Sequence, residues 1–496
     1  MTKHIGINIG PVVKTLSLAR RPRELWSASY LFSLLMKYIV DEADKDKRGE
    51  IIAPKKWEKT EEYKDLPVGL YPDRIYVRPN EGVVADDILK PAWDRFCNSL
   101  GVTSCYFNLM HTTCDRNSEV AAVTELNRRL DLLELCVQAP DSDPQEEIMR
   151  IIQEGKFSTL YKAATRDHEF SVETLAEISA AQLKMVVNED IWKKFSSEAR
   201  KEDGKGDPYS VLGGDIMSFH RYFCVIQADG DNMGKTLTND SLKDGAISEI
   251  SEALWQFGVN ATKEITEYAG MPIYAGGDDL LFLAPVRGKG SVSIFELLDR
   301  LEDCFQVVRD ACKASLPELE EQGLLPSLSF GVSICYYKHP LYEALESARH
   351  LLFDVAKGVD DKKAIAWKLE KHSGESFDAS FSRKKTGLDE AFKNVVKQTV
   401  DGQTVTRAIH KCKNNWKLLT LCLQSDDNNR LDSFFKTILE ETPQNRDYFE
   451  AVKKLMTELF KVQKPEDDDN LKKYSNSLYS MLRTAKFING EDVKDE

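Results

Sequence analysis

The sequence predicts an α+β fold centred on a ferredoxin-like sheet with helices on one face. Two observations carry this expectation. Between residues 220 and 369, apolar runs and amphipathic stretches alternate in the order β-α-β-β-α-β. Within that order, Gly276-Gly277-Asp278-Asp279 separates the apolar runs 271–275 and 280–283, as a glycine hairpin turn would.

The elements follow from their patterns. Residues 4–13 (HIGINIGPVV) read as a strand ending in Gly-Pro, and residues 23–40 as a helix with Leu25, Ala28, Ser29, Phe32 and Met36 near one face. The charged stretch 45–62 reads as a loop, and 74–78 and 102–109 as strands. From residue 119 to about 201 the pattern is helical, with Val120, Val123, Leu126, Leu130, Leu133 and Val137 at spacings of three and four. The stretch 201–208 (KEDGKGDP) is a candidate linker. Then come a strand at 220–228, a helix at 247–269, the hairpin at 271–285 and a helix at 294–314. A strand at 327–337, a helix at 341–357 and a strand at 363–369 complete the unit. Beyond Phe381 the chain reads as helical and charged.

A chain of 496 residues, 42% hydrophobic and 30% charged, is ordinary for a soluble globular protein of two to four domains. A net charge of −14 argues against a globally basic nucleic-acid binder and leaves room for local patches. The start of the chain lacks the apolar core of a signal peptide, and residues 30–40 are too short a run to span a bilayer. A cytoplasmic protein with reduced thiols and no membrane contact is expected. Cys97, Cys105, His111 and Cys114 contain no Cys-x-x-Cys, so zinc is not expected. The other cysteines read as small apolar core residues.

The chemistry lies at the hairpin. The first strand of the unit runs into Asp229-Gly230-Asp231-Asn232-Met233-Gly234-Lys235, which this fold sets beside Asp278 and Asp279. Carboxylates converging there repel one another unless cations neutralise them, and hard oxygen donors select two Mg²⁺ or Mn²⁺ ions. Such ions can activate a 3′-hydroxyl and stabilise departing pyrophosphate. Glycines at Gly230, Gly276 and Gly277 let phosphate approach the backbone. Taken alone, Gly-Gly-Asp-Asp could equally be a surface turn. The acidic strand end beside it, inside this element order, favours the metal site.

YAGGDDLLFL (274–283) with QADGDNMGK (227–235) resembles the palm domain shared by nucleotidyl cyclases and many polymerases. Further blocks resemble the large palm-domain subunit of type III CRISPR effector complexes, in its Cmr branch. They are Ile9-Gly10-Pro11-Val12, Ala19-Arg20, Leu25-Trp26-Ser27-Ala28-Ser29-Tyr30, Tyr71-Pro72-Asp73-Arg74, Ser329-Phe330-Gly331-Val332-Ser333-Ile334 and Ala356-Lys357. The resemblance implies two ferredoxin-like, cyclase-like palm domains, with a helical region between them and a helical C-terminal domain. The expected units are 1–115, a palm lacking the acidic hairpin; 116–205, helical; 206–375, the catalytic palm; and 376–496, helical. It implies a nucleotidyltransferase that uses ATP when the complex binds target RNA, making cyclic oligoadenylate. A product that joins AMP to S-adenosylmethionine is the alternative within the same chemistry, and an inert scaffold the alternative outside it. A stand-alone diguanylate cyclase fits the turn but not the N-terminal block.

Carried over, the resemblance makes Asp229, Asp278 and Asp279 the catalytic and metal-binding residues, with Asp231 as a further ligand. Lys357 matches a lysine that meets the triphosphate. Gly276, Gly277, Gly230, Asn232 and Lys235 are expected to line the nucleotide, Lys235 from its place after the acidic turn. A second-substrate pocket in the first palm is expected at Gly10, Pro11, Arg20, Arg23 and Ser29. Partners expected are the other subunits of a Cmr-type complex, with guide and target RNA held mainly through them. Many relatives carry a nuclease with a His-Asp pair. No His-Asp dipeptide occurs here, and that module is expected to be absent. Arg407, Lys411, Lys413 and Lys417 around Trp416 could meet RNA, although the solvated face of a helix is favoured.

Overall fold

A computed structural model describes the chain except residues 1, 46–47, 56–65, 67, 101–105, 137–141, 154–173, 202–205, 214–215, 360–361, 385–386, 399–401, 426–427, 466 and 491–496. Cys105, Val137 and half of the candidate linker (202–205) lie outside the described residues. Two sheets organise the rest. The first holds β1 (Thr2–Gly10), β2 (Gly49–Ala53), β3 (Arg74–Pro79) and β4 (Asn108–Arg116) in the order β2-β3-β1-β4, all antiparallel. The second holds β5 (Tyr222–Asp231), β6 (Met271–Gly276), β7 (Asp279–Pro285), β8 (Ser327–Tyr336), β9 (Ala364–Glu370) and β10 (Ser376–Ser382) in the order β10-β9-β8-β5-β7-β6. Its four strands β5 to β8 repeat the arrangement of the first sheet, so both sheets are ferredoxin-like. β9 joins β8 in parallel, because the helical stretch 341–358 crosses over between them.

The expectation of helices on one face is corrected. Alternate residues of β5 belong to two different cores. Cys224, Ile226 and Ala228 pack with the helices Ala246–Tyr268 and Ile294–Cys304. Phe223 and Val225 pack, with Ile273, Leu281 and Leu283, in one core with Trp26, Leu31 and Leu35 of the helix Pro22–Asp44. That same helix packs on Ile5, Ile7 and Ile9 of β1, so it is a slab shared between the two sheets. A sheet covered on both faces needs apolar residues at every strand position, which is why 271–275 and 280–283 read as continuous runs rather than alternations.

Other expectations shift. The strand expected at 102–109 lies at Asn108–Arg116. The stretch 45–62 contains β2, hidden in the sequence because Ile52 is its one fully buried residue. The helix Ala85–Leu100 carries Pro91 and many charges, yet buries Ile88, Leu89, Ala92 and Phe96 along one stripe. The helix expected at 294–314 is two, meeting at Phe305. The second sheet runs to Ser382, past residue 375 where the expected unit ends. Cys136 is exposed rather than core. Among the described residues no helix is long and apolar enough to cross a membrane.

Gly331 fixes the helix that follows β8. A Cβ there would meet the Ala348 carbonyl oxygen and come within 2.5 Å of the Leu352 backbone nitrogen. Gly331→Ala is therefore expected to cost about 1–3 kcal/mol of stability, read as a lower urea midpoint at unchanged slope.

Candidate functional site

The ladder between β5 and β7 pairs Ala228 with Leu280, so the next step of the register sets Asp229 across from Asp279. β6 and β7 are joined through the pair Gly276–Asp279, leaving Gly277 and Asp278 as a two-residue loop. Gly277 takes φ 67°, the positive value that a II′ turn asks of its first central residue. Its Cα side is open, with nothing within 4 Å of where a Cβ would lie. Asp278 turns back across the end of β5. A Cβ on Gly230 would sit 2.5 Å from Asp278 Oδ2 and 2.8 Å from its Cβ, so only glycine admits the carboxylate. The backbone N–H of Gly230 donates to that carboxylate. The backbone thus sets Asp229, Asp278 and Asp279 at the same end of the sheet.

Lys357 joins them. It follows a π-helical turn, Leu351–Val355, and its ammonium forms an ion pair with Asp229 Oδ2, with the Gly230 carbonyl 3.5 Å away. Burial, with Lys362 nearby, lowers its pKa to about 8.

Asp278 is half-buried and Asp279 exposed, yet protein crowds around both carboxyls. That crowding pushes the Asp278 carboxyl up to about 6, against the pull of two backbone amides and with a further push from Asp231. Asp279 is also raised, by burial first and then by Asp278 and Asp73. Carboxyls held reluctant to ionise, grouped around a carboxylate that already engages an ammonium, fit a site built for added cations. The donors are all hard oxygens, which suit Mg²⁺ or Mn²⁺.

Asp231 is placed differently. It is 1% exposed, and its Oδ2 accepts from Ser327 Oγ (2.9 Å), Ser329 Oγ (2.8 Å) and the Lys363 amide (2.9 Å), while Oδ1 has no partner. These bonds tie β5 to β8 and to the start of β9. Asn232 adopts a left-handed φ of 64° and starts the short helix Met233–Leu237. Lys235 is exposed on that helix, and its side chain has no hydrogen bond or ion pair among the described residues.

The five residues expected to form a second-substrate pocket differ in burial. Ser29 is a correction: it is 3% exposed within the core of the helix Pro22–Asp44, one turn from Trp26, whose ring stacks on Tyr30 at 4.7 Å. Gly10 and Pro11 end β1, Arg23 is half-buried, and Arg20 is exposed on another cavity. Among the described residues no three His, Cys, Asp or Glu side chains stand together as a metal-holding group, those of the acidic hairpin and of the end of β5 included. In the C-terminal basic stretch, Lys411 pairs with Glu440 at 2.7 Å and Lys413 lies 4.3 Å over Tyr479.

Two residues were missed by sequence reasoning. The segment before β3 runs beside the edge of the second sheet, where the Ala275 amide donates to the Gly69 carbonyl at 3.2 Å. It delivers Asp73, from the first sheet, into the field of Asp279. Tyr274 folds its phenol over Gly276, where a Cβ would be 2.5 Å from the hydroxyl. Asp73 belongs to the Tyr-Pro-Asp-Arg block, but the chain pattern holds no signal for which sheet it faces.

Comparison with known proteins agrees with the resemblance. Residues 222–366 match the family model for the second palm domain of Cas10/Cmr2, and residues 4–78 that for the N-terminal region of CRISPR-associated protein Cmr2. The chain is 30% identical over 247 residues to the CRISPR system Cmr subunit Cmr2 of Pyrococcus furiosus, covering 44% of this chain. The match takes in 24% of that relative's length. A type III-B Cmr-beta complex bound to cognate target RNA contains a similar chain, with TM-score 0.56, 12% identity and coverage of 88% of this chain and 78% of that one. The apo Cmr-beta complex gives TM-score 0.53 at 12% identity, covering 86% and 76%. A Csm1–Csm4 cassette in complex with AMPPNP gives 0.50 at 11% identity, covering 98% and 69%. At these identities the structures speak to the fold, which is that of the palm-domain subunits.

A pH test of the acidic pair follows. The Asp278 carboxyl rises from 3.8 to about 6 on folding, so between those values the folded chain keeps a proton the unfolded chain loses, and stability falls as pH rises. A divalent cation that offsets this charge should raise Tm by a few degrees at about pH 7.5 and have little effect at about pH 5. In Asp278→Asn/Asp279→Asn the cation effect should vanish, as followed by thermal melts with and without Mn²⁺.

Proposed function

We propose that this chain, whose residues 4–78 and 222–366 match the Cmr2 N-terminal and Cas10/Cmr2 second-palm family models, is an ATP-using nucleotidyltransferase that signals for an RNA-guided type III complex. The observation that carries this reading is the convergence of Asp229, Asp278 and Asp279 with Lys357 at one sheet end. Asp229, Asp278 and Asp279 would hold two divalent ions. Mg²⁺ bound there supplies the charge that favours ionisation of a 3′-hydroxyl and departure of pyrophosphate. The 3′-oxygen bonds to the α-phosphorus of a second ATP as the bond to the β-phosphate breaks. Gly277, open on its Cα side, gives the phosphates access to the backbone. Lys357 would exchange its bond to Asp229 for the triphosphate, a transfer that its weakened hold on its proton and half-buried stem keep short. Asp231 would serve either as a further ligand through Oδ1 or as the brace described above. The expected units, with a catalytic palm at 206–375, stand as part of this proposal.

Cyclic oligoadenylate is the product we favour. A second acceptor reading rests on Asp73. An additional carboxylate facing Asp279 from the first sheet repels another triphosphate and suits a cationic acceptor, such as the sulfonium and ammonium of S-adenosylmethionine. An inert scaffold would have no need to keep crowded carboxylates at the cost of their mutual repulsion.

The assembled, target-RNA-activated complex should be incubated with ATP, with and without S-adenosylmethionine, and product masses read. Asp278→Ala/Asp279→Ala should reduce any product to background while assembly persists; undiminished synthesis would sink the mechanism. Lys357→Ala should lower turnover by about 10²-fold, the size of losing one preorganised donor to developing charge.

A further inference from the structure

At the far end of the second sheet lies a cavity of about 390 Å³ that the catalytic reading does not use. It is bounded by Arg20 and Arg21 before the helix Pro22–Asp44, by Arg200 and Lys201 after the helix Glu189–Ala199, and by Lys338 after β8. β8 begins at Ser327, which pairs with Asp231, so its ten residues put the cavity about 30 Å from the acidic hairpin.

Among the described residues, five cations line this cavity against a single carboxylate, Glu198, in a chain of net charge −14. Glu198 is spoken for by Lys201, at 2.7 and 2.6 Å. Arg20 and Lys338 make contacts with neutral groups. The Arg20 guanidinium donates to the Ser17 carbonyl at 3.0 Å and lies 4.7 Å over the Tyr342 ring. The Lys338 ammonium sits 5.6 Å from the Tyr337 ring, although Asp207 lies within its field. Arg200 is fixed by the buried Glu177 at 2.8 Å. Carbonyl and aromatic contacts orient a cation and leave its charge available.

We propose that this cavity binds the phosphate backbone of single-stranded RNA. The start of the helix Pro22–Asp44 borders it, but Glu24 already takes the backbone amides of Arg20 and Arg21, at 2.8 and 3.2 Å. Attraction for anions therefore comes from side chains spread over three distant stretches of sequence, an arrangement that tracks a polymer rather than cradling one triphosphate. Tyr342, 42% exposed, and the half-buried Tyr337 add ring faces on which bases can stack. Because the lining draws on residues beside both sheets, bound RNA would bridge them.

The test uses the full chain and a fluorescein-labelled single-stranded RNA of about twelve nucleotides, within the site sizes such surfaces take. Affinity is measured across a salt series. Lys201→Glu/Lys338→Glu, at two exposed positions outside the acidic site, should weaken binding at least about tenfold and lower the salt slope by about 1.4, two contacts at about 0.7 each. Lys201→Gln/Lys338→Gln should fall between, and matching melting curves show that all variants fold. Asp278→Ala/Asp279→Ala should bind RNA as the parent does, so failure of the catalytic reading leaves this one standing. Absence of RNA binding by the parent chain overturns the proposal, as does an unchanged affinity and slope in the Glu variant. Displacement of the RNA by ATP at matched phosphate concentration also overturns it, in favour of a nucleotide site.

Discussion

A missing methyl group governs this molecule's chemistry. Asp278 can lie across the end of β5 because Gly230 presents only backbone there. Every other feature of the acidic end is arranged around that contact. The positive φ at Gly277 aims the turn backward, the β5–β7 register brings Asp229 opposite Asp279, and Lys357 closes over Asp229 from the crossover. A side chain at residue 230 would push Asp278 away from the end of β5.

The second dependency is the helix Pro22–Asp44. It serves as core for the first sheet and for one face of the second, so neither sheet's apolar surface is complete without it. The Trp26–Tyr30 stack and buried Ser29 belong to this role. Residues that look like a ligand-facing helix in sequence are the packing between two sheets. Packed interiors transmit displacement rather than absorb it, so a shift of this helix would reach β6 and β7, the strands that carry the acidic turn.

Much of the second sheet was legible in the sequence because its signals are local. Apolar runs bounded by glycine and aspartate mark β5, β6, β7 and β8, and their order dictates the neighbours. The acidic end followed from the same reading. What was illegible depends on partners distant in the chain. β2 buries one residue fully, so no alternation betrays it, and Ala85–Leu100 hides its stripe among charges. Asp231 and Asp229 are two apart on one strand and look equivalent. The serines of β8 and the Lys363 amide separate them, by filling one oxygen of Asp231. Asp73 acquires its place from the Gly69–Tyr274 bridge, a contact between segments about two hundred residues apart that no local pattern encodes.

That bridge has another side. β6 is the outermost strand at its end of the second sheet, and an open strand edge invites pairing with any extended chain nearby. Here the invitation is taken from within. The Gly69 carbonyl occupies the Ala275 amide, and a Cβ on Gly69 would collide with Ser33 at 2.6 Å, so the plug is held against the shared helix. A bulge between Pro272 and Tyr274 further spoils the edge as a template. The protein can therefore be crowded among many copies of itself and its neighbours without its acidic hairpin being recruited into an intermolecular sheet.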